Sequence, residues 1–373
     1  MNIFTPYRVC PLGAHIDHQH GVVTGFALDK GVRFEFEKTN DGSIYVISKN
    51  FNGIVDFNIN DIPERKYNWG DFIQGAVVAL SRKYELHYGI KGVVTGELPS
   101  GGLSTSAAVI ITYINALCIV NNITLTRPEL VLMAMWEERN YIGVNVGKLD
   151  QSCEVYCKKD SILYLDTKDD SSELIPISNE MPEFDIMIIF SGLERKLAGT
   201  AYNMRVDECK SASYALKAFS GMEYGKYEDS FLRDVPQGIF EEYKDMLPDN
   251  WRDRAQHYYD ENNRVKKGIK AWKCGDISEF GRLIFESGRS SIEKYKTGSD
   301  ELKTIQDIME DVDGIYGGRF SGAGFNGSSM AIINPEKKEE IKNIVTIKYL
   351  KKFPKLENNF SIHFCKTSNG VEL

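Results

Sequence analysis

Three stretches of the chain carry residue types that can do chemistry on a small molecule. Over residues 98–120, LPSGGLSTSAAVIITYINALCIV, a Pro-Ser-Gly-Gly turn runs into three consecutive hydroxyl residues, Ser104, Thr105 and Ser106, and then into a long apolar segment suited to a buried helix. Glycines let a backbone approach a ligand closely, and the first-turn amides of a helix are unpaired donors at the positive end of its dipole, so an anion is well placed there. Hydroxyls in the same turn serve phosphate oxygens or a hydrated magnesium ion. The same residues also spell an ordinary Ser-capped helix after a glycine turn.

The second stretch, YRVCPLGAHIDHQHG over residues 7–21, holds three of the six histidines, flanked by Arg8 and Asp17 and broken by Pro and Gly, and reads as a polar loop rather than a core strand. Metal ligation by His15, His18 and His20 matches no standard zinc spacing. A solvated turn remains open, as does a small-molecule site with Asp17 accepting hydrogen bonds and Arg8 holding negative charge. The third stretch, GVNVGKLDQ over 143–151, is a loop in which Asp150 either caps the next helix or offers a carboxylate to a substrate hydroxyl. Gly322, Gly324 and Gly327 formally spell G-x-G-x-x-G. A strand rather than a helix follows, so this is a tight glycine turn and no dinucleotide fingerprint. No G-K-S or G-K-T occurs, which excludes a Walker-type phosphate loop.

The elements that must position these residues follow from periodicity. Residues 32–37 alternate strictly, the turn at 40–42 reverses the chain, 44–47 return, and Val55, Phe57 and Ile59 alternate again, predicting an antiparallel sheet with one solvated face. A helical pattern over 69–84 and a short strand at 92–95 lead into the cradle, which is therefore strand, glycine-rich turn, helix. Thr126-Arg127-Pro128-Glu129 is a capping box, predicting a helix to about Tyr141 with Glu138 near its end. A strongly apolar strand is expected at 184–190, preceded by a boundary in the polar run 166–183. Helices over 199–219, 251–272, 277–287 and 300–310 follow, then the glycine turn, a strand at 330–333, a helix from about Lys337 and a last strand near Ile362.

At 373 residues the chain exceeds what one core usually serves, so two domains are expected. A net charge of −8 without a basic block argues against a nucleic-acid surface. The seven scattered cysteines show no C-x-x-C pair, which suits a reducing, cytoplasmic setting. The N-terminus lacks the build of a signal peptide, and the most apolar run, 107–120, is too short to span a bilayer.

RVCPLGAHIDHQHG, PSGGLSTSAA and FSGAGFNGSS, in this order and spacing, resemble the three signatures of the GHMP small-molecule kinases, and the resemblance spans nearly the whole chain. The first is galactokinase-like, and PLGAHIDHQ with the later SGLERKLAGTAYNMRVDEC is most similar to the galacturonokinases. This implies an α+β two-domain fold, with an N-terminal domain of mixed sheet and helices like ribosomal protein S5 domain 2 (1–180) and a C-terminal ferredoxin-like domain (181–373), the active site lying between them. It implies ATP and Mg2+, with the nucleotide phosphates on Pro99, Gly101, Gly102, Leu103, Ser104, Thr105, Ser106 and Ala107. Thr105 departs from the usual serine but keeps the hydroxyl. Ser106 and Glu138 match positions that hold magnesium, Arg8 and Asp150 match the catalytic pair, and Asp17 and Tyr202 match sugar-hydroxyl contacts. Trp69 is a candidate for the adenine pocket. In such a site Asp150 either takes the proton of the anomeric hydroxyl or orients it while Arg8 lowers its pKa.

Galactokinases usually carry Glu where this chain has Ala14. Two like charges about 4 Å apart cost on the order of 4 kcal/mol at an effective dielectric of about 20, so a carboxylate there repels a uronate and Ala removes the repulsion. Ala14 also leaves room for a substrate carboxylate that His15, His18 or Arg205 can contact. The expectation is a sugar-1-kinase acting on D-galacturonate, with galactose or another neutral sugar as the alternative. A non-catalytic sugar sensor is the remaining class, and intact Arg8, Asp150 and cradle argue against it. The expected partners are the sugar or sugar acid and ATP, with no nucleic acid or membrane, in a monomer or small homo-oligomer.

Overall fold

A computed structural model describes residues 1–193, 199–324 and 327–373. The chain runs through β1 (Asn2–Val9), β2 (Val22–Thr39), β3 (Ser43–Ser48), β4 (Ile54–Asn58), α1 (Asp71–Ser81), β5 (Gly89–Gly96), α2 (Thr105–Val120), α3 (Arg127–Trp136), α4 (Leu149–Tyr156), β6 (Ser161–Asp166) and β7 (Ser172–Pro176). It continues through β8 (Asp185–Phe190), α5 (Gly199–Phe219), α6 (Gln237–Tyr243), α7 (Asp249–Lys273), α8 (Ile277–Glu293) and α9 (Asp300–Glu310). Then come β9 (Ile315–Phe320), β10 (Ser328–Ile333), α10 (Lys338–Lys352), β11 (Ser361–Cys365) and β12 (Thr367–Ser368).

The first sheet has the order β4-β3-β5-β2-β6-β7, with β1 and β12 also on β2. The alternation read from residues 32–37 is present as buried Val32, Phe34 and Phe36 against exposed Arg33, Glu35 and Glu37. The expected hairpin across 40–42 does not form. Instead β5 lies between β2 and β3, antiparallel to the first and parallel to the second. Glycines permit this insertion: a Cβ on Gly92 would stand 2.3 Å from the Glu35 carbonyl oxygen, and one on Gly89 2.1 Å from that of Ser43. Tyr7, Arg8 and Val9, expected in a loop, belong to buried strand β1.

Helix α2 is apolar on all sides and correspondingly buried along nearly its whole length. The capping box at Thr126 and Glu129 opens α3 as expected, and the helix continues as a π-helical turn, Glu137–Ile142, which offsets Glu138 from the regular helical ladder.

The second sheet, β11-β8-β10-β9, is antiparallel throughout. Strands β8 and β10 are buried at every residue because both faces are covered. Met187, Ile189, Ala331 and Ile333 pack with α9 and α10, while Ile186, Ile188, Met330 and Ile332 join the core shared with the first sheet. Strand β9 escaped the periodicity reading because Gly317 and Gly318 interrupt it. Those glycines allow α8 to approach, since a Cβ on Gly317 would meet the Gly281 carbonyl oxygen at 2.2 Å. The expected division at 180/181 falls between the two sheets, although β12 pairs back onto β2 and Asn115 donates to the Glu372 carbonyl. Helices α5, α6 and α7 pack against Cys10, Ala14, Ile16 and Val23, so the second half of the chain walls in the loop after β1. Among the described residues no helix is long and apolar enough to cross a membrane.

Candidate active site

The three motifs meet backbone to backbone. Gly101 (φ +132°), Gly102 (φ +81°) and Ser104 (φ +59°) give the cradle a left-handed course. A Cβ on Gly102 would lie 2.7 Å from the Ser321 carbonyl oxygen, and one on Gly327 2.7 Å from the Gly101 carbonyl carbon. The C-terminal glycine turn is therefore the seat of the cradle. Its Phe325 and Asn326 lie outside the described residues, as do residues 194–198 of the SGLERKLAG run. The Ser-cap reading fails, because α2 starts without any side-chain cap bond. Ser104 Oγ and Thr105 Oγ1 are instead buried with no hydrogen-bond partner among the described residues. Buried hydroxyls without partners are costly unless a ligand supplies one. A left-handed Ser104 adds strain of about 1 kcal/mol, of the kind that gathers at functional sites.

Arg8 ties the parts together. Its Nε donates to Asp150 Oδ1 at 2.8 Å, its Nη2 lies 2.6 Å from the same oxygen, and its Nη1 reaches the Gly102 carbonyl at 3.4 Å and Ser321 Oγ at 3.3 Å. Burial alone would pull this guanidinium down, but Asp150, Cys10 and Cys153 push it up, so it stays charged. Asp150 sits inside the first turn of α4, where Lys148 is the cap residue, so its carboxylate serves Arg8 and not the helix end.

Ser106 Oγ donates to Glu138 Oε1 at 2.7 Å, and Gln151 Nε2 donates to Glu138 Oε2 at 2.7 Å. A hydroxyl beside a carboxylate is an all-oxygen donor pair that suits a hard divalent cation completed by water and phosphate oxygens, so these residues fit magnesium. A cavity opens where the motifs meet, and of the cradle residues Gly102, Ser104 and Ser106 line it, whereas Leu103 and Ala107 are core residues; Pro99 and Thr105 do not line it.

The histidine loop is buried, contrary to a solvated turn. His15 stacks on Tyr295 at 4.5 Å, His18 Nε2 pairs with the Tyr295 hydroxyl at 2.9 Å, and His20 stacks on Phe231 at 3.8 Å. The three rings thus take separate places, and no metal-binding cluster exists among the described residues. Burial drives His15 well below its ordinary value, helped by Arg319, and His18 to about 3, so both are neutral. Ala14, His15, Asp17 and Tyr202 line the cavity; His18 does not. Arg205 is directed elsewhere, pairing with Glu208 at 3.3 Å and donating to the Lys296 carbonyl. Trp69 donates to the Asn52 carbonyl and lies outside the lining.

Asp17 accepts from Leu149 N–H at 3.4 Å, and a Cβ on Gly147 would stand 2.0 Å from its Oδ2, so the 143–148 loop closes over it. Burial, then the nearby Asp150, raises it to about 6. Its ionised form is the hydrogen-bond acceptor, so kcat/KM for the acceptor substrate at saturating nucleotide should fall as pH drops through about 6. A profile flat from pH 7 to 5 would contradict this. The linkage to stability has the opposite sense. The unfolded chain loses this proton first, so ionising Asp17 makes stability fall as pH rises from the ordinary 3.8 to about 6.

Sequence reasoning missed Arg319, which lines the cavity at 1% exposure. It also missed the carboxylate behind it, Glu261, which accepts from Gly13 N–H at 2.7 Å and Ser287 Oγ at 2.6 Å. The signal available was a lone Arg in the strand IYGGRF, between glycines and a Phe, where an uncompensated charge is expensive.

Residues 71–158 match the GHMP kinases N terminal domain and residues 265–351 the GHMP kinases C terminal family. A galacturonokinase of Arabidopsis thaliana is 37% identical over 96% of this chain and 89% of that relative. A galactokinase of Thermotoga neapolitana is 31% identical over 100% of this chain and 99% of its own. The crystal structure of Lactococcus lactis galactokinase complexed with galactose superposes with a TM-score of 0.90 at 25% identity, covering 100% of this chain and 94% of that one. The chain belongs to the GHMP kinase superfamily, in its galactokinase-like branch, and is a phosphotransferase with an alcohol group as acceptor.

Proposed function

We propose that this protein transfers the γ-phosphoryl group of ATP to the anomeric hydroxyl of D-galacturonate, giving galacturonate 1-phosphate and ADP, with its two domains (1–180 and 181–373) flanking the site. The phosphotransferase part rests on one observation above all: Arg8 holds Asp150 while touching both the cradle and the glycine turn. Support for the acid comes from Ala14, which lines the cavity without adding a charge, and from the similarity to a galacturonokinase. The alternative acceptor, galactose, is supported by the galactokinase relatives and the overlay on a galactose complex.

In this reading the hydroxyl of Ser104 and the start of α2 bind the nucleotide phosphates, which gives that buried hydroxyl its missing partner. Ser106 and Glu138 hold magnesium, which when bound neutralises charge on the β- and γ-phosphates. Asp17 and Tyr202 fix the sugar hydroxyls. Asp150 receives the proton of the anomeric hydroxyl or orients it, and Arg8 stabilises the charge that grows between acceptor and phosphoryl group.

Coupled ADP release over a panel of sugars and sugar acids tests the proposal. Turnover of galacturonate well above galactose is expected, galactose alone would shift the substrate to the neutral sugar, and no turnover would favour a sensor. Glu138→Gln keeps the bond to Gln151 in reach but removes the charge, and should raise the Mg2+ concentration for half-maximal rate about 10-fold or more. An unchanged magnesium titration would remove Glu138 from that role.

A further inference from the structure

Behind Ala14, the buried group Arg264–Glu261–Arg319 carries more positive charge than it cancels. Glu261 lies 2.7 Å from Arg264 and 3.8 Å from Arg319, so one carboxylate is shared by two guanidiniums, and all three side chains are at most 12% exposed. Burial would push Glu261 up, yet Arg264, His257 and Arg319 hold it down at about 2, so it supplies only one negative charge. The other contacts of Arg319 are neutral: Ser287 Oγ at 2.5 Å, Ser291 Oγ at 3.1 Å and the Phe320 carbonyl at 3.0 Å. Its neighbour Cys10 is raised to about 12 by burial and remains a thiol. The second guanidinium in the lining, Arg8, is already paired with Asp150. A buried guanidinium with half a counterion calls for an anion from the ligand.

A second observation points to the same place. His15 Nε2 is buried and has no hydrogen-bond partner among the described residues, although the residue is 7% exposed and lines the cavity. The loop that carries it is fixed to the same wall, since Gly13 N–H donates to Glu261 and His257 Nε2 meets the Ala14 carbonyl at 3.0 Å. Between these anchors Ala14 contributes only a methyl group.

We propose that Arg319 and His15 form the receptor for the carboxylate of the acceptor substrate, with Arg319 supplying the charge and His15 Nε2 a directional hydrogen bond. The proposal rests on the galacturonate reading above. The acid then completes the balance of the Arg264–Glu261–Arg319 group, which explains how the site prefers a charged acceptor instead of merely tolerating one. Arg319 has five N–H donors and makes three hydrogen bonds, which leaves capacity for a carboxylate.

The test compares galacturonate with galacturonamide, its uncharged isostere, by ADP release at saturating ATP. Wild-type enzyme should favour the acid. Arg319→Gln should lower the ratio of kcat/KM for acid over amide about 100-fold, mainly through KM for the acid, while KM for ATP moves by less than about 3-fold. The variant retains the close Arg264–Glu261 pair and the Gly13 anchor, and its thermal unfolding checks that it folds. His15→Phe, which preserves the stack on Tyr295, should lower the same ratio about 10-fold. An unchanged ratio in both variants overturns the receptor. So does a rise in KM for ATP with an equal loss on both acceptors, which would assign Arg319 to the phosphates. Wild-type enzyme that ignores galacturonate altogether sinks the substrate reading itself, and that arm involves no variant.

Discussion

Asp150→Asn is expected to lower kcat by about 1,000-fold or more while MgATP still protects the protein from thermal unfolding. The substitution keeps the shape of the side chain and removes its charge and basicity. Asp150 Oδ1 takes both close contacts from Arg8, at 2.8 and 2.6 Å, and Arg8 is only 4% exposed. The loss therefore has two parts. One is chemical, since the anomeric hydroxyl loses its proton acceptor or its orienting anion. The other is a buried guanidinium without a counter-charge, which costs on the order of 3 kcal/mol and should lower the melting temperature by several degrees. Nucleotide protection separates them, because the cradle hydroxyl at Ser104 and the start of α2 do not depend on Asp150. Near-normal turnover would remove Asp150 from the chemistry.

Ala14→Glu is expected to move acceptor preference from galacturonate towards galactose by about 100-fold or more in the ratio of kcat/KM values. A carboxylate on residue 14 would stand in the lining beside His15 and Arg319, where the acid of the substrate is proposed to bind. Two carboxylates about 4 Å apart repel by on the order of 4 kcal/mol at an effective dielectric of about 20, and Arg319 cannot neutralise both. The new side chain would also take the free donor capacity of Arg319 for itself. Measured side by side, an unchanged ratio would mean that selectivity lies away from residue 14.

These two residues were legible in the sequence, and so was much of the scaffold, for a common reason. Arg8, Asp150, Ser106 and Glu138 sit in short runs where glycine, hydroxyl and charged residues constrain the local backbone, and local constraint is what sequence patterns report. Helices α2, α3 and α9 carry their own caps or a long apolar run. Partnership between distant segments was not legible. The turn at 40–42 reads as a hairpin, and only the glycines of β5 reveal why another strand enters between its arms. The histidines read as polar, yet Tyr295 and Phe231, far along the chain, bury them. Arg205 reads as available for the substrate, yet Glu208, three residues on in α5, engages it. Arg319 is not legible in the sequence because its meaning depends on α7 and α8, which supply Glu261, Ser287 and Ser291.

A competition in one vessel decides the acceptor: equimolar galacturonate and galactose, limiting ATP and excess Mg2+, with the sugar phosphates resolved by phosphorus NMR and mass. Galacturonate 1-phosphate should dominate, with its phosphorus coupled to the anomeric proton. Galactose 1-phosphate as the main product, or phosphate on any other hydroxyl, would contradict the proposed transfer.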